Sequence, residues 1–163
     1  MPPTTPSAQP AADAEAQLAS FLAKYTPELA ASAVATRARL RARVPGGVEF
    51  VYDNYNFLVL GYGPSERPSE AELSLALAPR WVTLCFLKGA TLDDPKRLLK
   101  GDGSIVRNVR LTGPTHLDDP DVEALVAQAL ARAPFPGGTP TLVIQSISAK
   151  QRPRRPAGGR DRA

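Results

Sequence analysis

The chain has 163 residues, 43% of them hydrophobic, enough for one domain with a real core. Its formal charge of +4 invites a nucleic-acid reading, but KQRPRRPAGGRDRA at the end holds six of the twenty basic residues and one of the sixteen acids, leaving the rest nearly neutral. One cysteine, Cys85, excludes an internal disulfide, MPPTTPSAQP lacks the features of a signal peptide, and no apolar run approaches the roughly 20 residues of a membrane helix, so the expectation is a soluble protein of the reducing cytosol.

In chain order, the proline-rich start predicts a disordered leader over residues 1–11. Leu18, Phe21, Leu22 and Tyr25 recur at three- and four-residue steps, the spacing of an amphipathic helix from about Ala12 to Tyr25. Thr26 followed by Pro27, with Glu28 in the opening turn, starts a second helix that runs to about Val44 and is ended by Pro45, Gly46 and Gly47. The pattern then changes to VEFVYDNYNFLVLGYG, AELSLALAP and WVTLCFL, an antiparallel meander with Ala78, Pro79 and Arg80 as its last turn and Gly61 and Gly63 as glycines that let a hairpin turn. A short helix is expected over residues 96–99. Ile105, Arg107, Val109 and Leu111 then alternate, so a basic residue shares the phase of apolar ones while Val106 takes the other face. Val122, Leu125, Val126 and Leu130 give a last helix over residues 121–133, stopped by Pro134, and TLVIQSIS reads as a terminal strand or extended strap. The whole is an α+β fold in which an antiparallel β-meander sheet packs against N-terminal and C-terminal helices. It forms a single domain over residues 12–149, followed by a basic disordered tail over residues 150–163.

The triplet Asp-Asp-Pro occurs twice, and in each copy the second aspartate, Asp94 or Asp119, precedes a proline suited to the first helical position. Its carboxylate can accept a backbone N–H there, and the helix dipole favours the charges of Asp93, Asp118 and Asp121 nearby. The alternative is a hard-cation site built from Asp93, Asp94, Asp118, Asp119 and Asp121, with His116 as a possible nitrogen ligand or simply an exposed loop residue.

Other chemistry is sparse. Cys85 has no histidine nearby in sequence and reads as a buried, inert thiol. There is no Gly-x-Ser-x-Gly elbow, no dinucleotide fingerprint after Gly63 and no Walker loop, so no catalytic residue is assigned. Arg37 and Arg41 border the apolar stripe of the second helix, either as an anion-binding pair or as snorkelling stems paired with Glu49 or an aspartate. Tyr52, Tyr55, Phe57 and Tyr62 could stack bases, but without interleaved basic residues core packing is preferred. The residues from Lys150 to Arg162 could bind nucleic acid non-specifically through phosphates, or end the chain as a solvated tail.

The run WVTLCFLKGATLDDPKRLLKGDGSIVRNVRL resembles the core signature of the YdhG-like domain of unknown function. The shared order is a strand ending in Phe and a Gly-Ala step, an acidic-Pro start, Leu-Leu, a Gly-rich turn and a strand opening with Arg. Similarity extends over residues 49–57 and the ending SISAKQRPRRP, covering roughly residues 16–156. The resemblance implies a compact α+β domain similar in shape to frataxin-like and YjbR-like proteins. For some members it also implies a frataxin-like iron chaperone for iron–sulfur or haem assembly, in which the five aspartates named above would supply carboxylates. The expectation is a non-enzymatic protein that binds a small molecule or protein partner without a resident cofactor. Tyr52, Lys88 and Arg107 form its polar ligand-facing set, with tyrosine to orient an anion and the two cations to donate to it.

Overall fold

A computed structural model describes residues 8–157, with side chains from residue 11 onward. Among these residues there are three α-helices, α1 (Ala8–Leu22), α2 (Pro27–Arg43) and α3 (Pro120–Ala131), three short 3-10 turns and six strands. The strands are β1 (Val48–Asp53), β2 (Leu58–Gly63), β3 (Leu73–Leu77), β4 (Val82–Phe86), β5 (Arg107–Leu111) and β6 (Thr141–Ile147). They form one sheet in the order β5-β4-β3-β2-β1-β6. The first four make the expected antiparallel meander, β5 extends it on β4, and α3 carries the chain back so that β6 lies parallel to β1.

The core uses one phase of each strand. Val51, the alternating Leu58, Leu60 and Tyr62, then Leu73, Leu75 and Leu77, Val82, Leu84 and Phe86, and Val109 with Leu111 join a single cluster with Leu18, Leu40, Val122 and Leu125 of the helices. All three helices therefore pack on the same face of the sheet. Each fully buried leucine contributes about 1.5–3 kcal/mol, so this cluster dominates the stability. The other phase carries smaller groups, among them Gly61, Ser74 and Ala76, with Phe50 and Tyr52 beside Gly61.

Both helix starts with an aspartate or threonine cap follow the sequence reading. Thr26 Oγ1 accepts the N–H of Leu29 at 3.2 Å, and Asp119 Oδ1 accepts those of Asp121 and Val122. Gly46 and Gly47 end the α2 segment with φ of +89° and +79°. A Cβ on Gly46 would lie 2.1 Å from the Gly137 carbonyl oxygen, so the connection requires glycine twice over.

Several expectations are corrected. Helix α1 already includes residues 8–11, placed in the leader by sequence: Pro10 falls in the first turn, where a missing N–H costs no helical hydrogen bond; residues 1–7 lie outside the described residues. Gly61 and Gly63 do not turn the hairpin: they lie within β2, where Gly63 admits Ala71, and residues 54–57 make the turn with Asn54 N–H bonded to Phe57 O. Residues 96–99 are not helical, because Asp94 accepts the N–H groups of Leu98 and Leu99, both at 2.9 Å, and Arg97 has φ of +54°. Ile105 and Val106 precede β5 and are exposed.

The largest difference is the tail. Residues 150–156 pack on the domain: Gln151 bonds the Asp53 carbonyl, Arg152 N–H bonds the Tyr55 carbonyl at 2.8 Å, and Arg154 is only 4% exposed. The reason is an acid waiting in the core, Asp53, which Arg154 reaches at 2.8 Å. Residues 158–163 lie outside the described residues.

Candidate functional site

Three buried carboxylates organise the polar interior, and each draws two cations. Glu49 on β1 receives the Arg37 guanidinium at 2.9 and 2.7 Å, Arg41 beside it and the Tyr62 hydroxyl at 2.6 Å. Arg37 also forks onto Glu15 at 3.0 Å. Burial alone lowers the basicity of Arg37, but the bonds it donates to Glu49 and Glu15 outweigh that and raise its pKa. Burial and the Glu49 charge push the Tyr62 phenol well up, so it stays neutral and donates. Asp53 is held by Lys24 at 2.6 Å and Arg154, and Glu72 by Lys88 at 2.8 Å and Arg132 at 3.8 Å. Of the two readings of Arg37 and Arg41, the structure takes the ion pair with Glu49.

The expected ligand set does not converge. Tyr52 lies on β1, whereas Lys88 follows β4 and Arg107 begins β5; β2 and β3 intervene between β1 and β4, about 14 Å at ordinary strand spacing. Tyr52 lies beside Phe50, ring centres 6.4 Å apart, and burial raises its phenol pKa. Lys88 serves Glu72, and Arg107 donates to the Gly103 and Val106 carbonyls of the loop before it. A charged residue at a strand end looks free in sequence; here Lys88 is taken by a carboxylate that sequence does not place and Arg107 by the carbonyls just before it.

The aspartates are divided too. Asp94 and Asp119 accept backbone N–H groups, and the Asp93 backbone is clamped by Gln128. Asp118 pairs with Arg39 at 2.6 Å and Arg43 at 2.7 Å, and the Arg43 hydrogen bond, with Arg39 assisting, holds its carboxyl below the usual range. Asp93, Asp94 and Asp121 do border a hollow of about 150 Å³, but Lys96 lines it and lies 3.8 Å from Asp121. Among the described residues no three His, Cys, Asp or Glu side chains are placed to hold a metal. The residues present do not fit the iron site that the family resemblance implied.

The reactive groups are also engaged. His116 Nδ1 accepts the Thr112 N–H at 3.1 Å, and burial pushes the half-buried Cys85 thiol up. Tyr55 and Phe57, expected in the core, are exposed at the hairpin turn, at 48% and 41%. Of the tail, Arg154 is turned inward and Arg155 donates to the carbonyls of Ala23 and Lys24, so part of the basic cluster is withdrawn from any nucleic acid.

A second hollow, of about 300 Å³, lies between the first half of α2, the β3–β4 turn and the end of β5. Leu29, Thr36, Val82 and Leu111 are its buried lining. Pro79, Trp81 and Pro156 form apolar walls, Thr26, Ser32 and Thr112 bring hydroxyls, and Glu28 and Arg80 stand exposed at the rim. Trp81 is 37% exposed, with the Arg110 guanidinium 3.7 Å from its ring centre. Arg80 entered the sequence reading only as a turn residue. A tryptophan directly after a turn was the available signal, but the facing helix is not local to it.

The fold and this hollow define a class: an α+β protein with a mixed six-stranded sheet, helices on one face and a small-molecule-sized recess at one end of the sheet. No protein-family model, curated protein or solved structure matches the chain. Among the described residues no helix is long and apolar enough to cross a membrane.

Proposed function

We propose that this chain is a cytoplasmic, non-enzymatic YdhG-like protein that binds a small molecule in the hollow beside α2. The observation that carries the reading is the recess itself: about 300 Å³, at the lower end of the size range of small-ligand sites, apolar beneath and polar at the mouth. The engagement of His116 and the buried carboxylates by structural partners, with a Cys85 thiol that burial holds protonated, supports binding over catalysis. The ordered pattern of residues 81–111 supports the YdhG-like assignment.

Trp81 is the chain's single tryptophan and lines the recess, so its fluorescence reports occupancy. A panel of small amines, carboxylates, amino acids and alcohols with apolar bodies is titrated into the full chain. At least one is expected to give a saturable change that Ser32→Phe abolishes without changing the melting temperature. Silence of Trp81 towards the whole panel defeats the proposal.

A further inference from the structure

We infer that the recess takes a small zwitterion, a molecule with an ammonium and a carboxylate on an apolar body, such as a free amino acid with an aliphatic side chain. This rests on the small-ligand reading above and gives the ligand a chemical class.

Among the described residues only two charged ones line the recess, and they have opposite signs: Glu28 and Arg80. Neither belongs to an ion pair among the described residues. The contrast with their surroundings is informative. Every arginine of the same helix, at positions 37, 39, 41 and 43, has a carboxylate partner. Glu28 needs no cation to be stable, because it occupies the first turn of α2. Arg80 sits in the β3–β4 turn across the recess.

A ligand with a single charge meets one favourable and one unfavourable group. A simple anion bonds Arg80 but faces the Glu28 carboxylate; a simple cation meets the reverse. Only a molecule carrying both signs satisfies both, and its apolar part then rests on Leu29, Val82 and Leu111. The Ser32 hydroxyl lies on the same lining and can donate or accept. The net charge of such a ligand is zero, matching the sum of the two rim charges.

The test is calorimetry on the full chain with L-leucine and its two half-charged analogues, 4-methylpentanoate and 3-methylbutylamine. Leucine is expected to bind at least about tenfold tighter than either, the size of one lost charge-assisted bond. Arg80→Gln should weaken leucine about tenfold and leave 3-methylbutylamine no weaker, while Glu28→Gln should weaken leucine similarly and leave 4-methylpentanoate no weaker. Analogues that bind as tightly as leucine, or variants that weaken all three ligands alike, overturn the zwitterion inference while keeping the recess as a ligand site. No heat from any of the three at millimolar concentration overturns it too. The alcohols of the fluorescence panel then decide separately whether the recess binds anything.

Discussion

Replacing Arg154 with methionine removes a guanidinium that is 4% exposed and bonded to Asp53 Oδ1 at 2.8 Å and the Asn54 carbonyl at 2.6 Å. Methionine keeps an unbranched, apolar side chain in the space, so the loss falls on the polar partners. Breaking a buried pair by removing one member costs about 3–5 kcal/mol, because the other charge is left uncompensated. Two features place this case at the low end. Asp53 keeps Lys24 at 2.6 Å, and the mutation also removes Arg154 Nε, a buried N–H with no acceptor. The expected loss is therefore about 3 kcal/mol. In a chain of this size that lowers the melting temperature by roughly 6–12 °C. Urea unfolding followed by circular dichroism should show a lower midpoint at an unchanged slope. Asp53→Asn combined with Arg154→Met should cost less than the sum of the singles, since the two groups touch. A midpoint shift worth under about 0.5 kcal/mol, or a chain cut after residue 149 that is as stable as the whole, would refute the buried-strap reasoning.

The same ion pair sets an acid limit. Burial pushes the Asp53 carboxyl up, but bonds from Lys24, Gln151 and Arg154 outweigh it and hold the pKa below its ordinary value. A depressed folded pKa contributes stability that is present above the unfolded value near 4 and lost as pH falls through the folded one. Unfolding free energy measured from pH 6 downward should therefore fall more steeply below about pH 4 in the wild type than in Asp53→Asn, and parallel curves would contradict the assignment. Glu49→Gln leaves Arg37 and Arg41 without their shared anion and should cost about 3–5 kcal/mol in urea unfolding, against about 1 kcal/mol for Tyr62→Phe, which removes one hydrogen bond. Asp119→Ala should cost about 1 kcal/mol and Asp119→Asn much less, since asparagine caps equally well. Gly46→Ala, whose Cβ would meet a carbonyl at 2.1 Å, should destabilise by more than about 2 kcal/mol, whereas Gly103→Ala, with nothing within 4 Å, should stay within about 0.5 kcal/mol.

The polar interior shows where reading a sequence reaches its limit. Arg37 and Arg41 at the edge of an apolar stripe pointed either to an anion-binding pair or to ion pairs with Glu49 or an aspartate, and the structure has the pairs with Glu49, because the helix phase and the strand phase both aim inward. Lys88 and Arg107 gave the same kind of signal and were read as free for a ligand. Each instead has a partner, Lys88 in Glu72 sixteen positions away and Arg107 in the adjacent loop carbonyls. The recess was invisible because its lining runs from Thr26 to Pro156 and carries no motif.

The sequence by itself determined the three long helices, the strands β1 to β5, the caps at Thr26 and Asp119 and the antiparallel order of β1 to β4. Each of these depends on hydrogen bonds or apolar periods within a few residues. The tertiary structure alone decided that β6 lies parallel beside β1, that Asp118 pairs with Arg39 and Arg43 while Asp93, Asp94 and Asp121 border a separate hollow, and that Arg154 turns inward. Arg154 and Asp53 are 101 positions apart. A guanidinium enters the core only where a distant carboxylate offsets its desolvation, and that pairing is a property of the packed chain, absent from any local window.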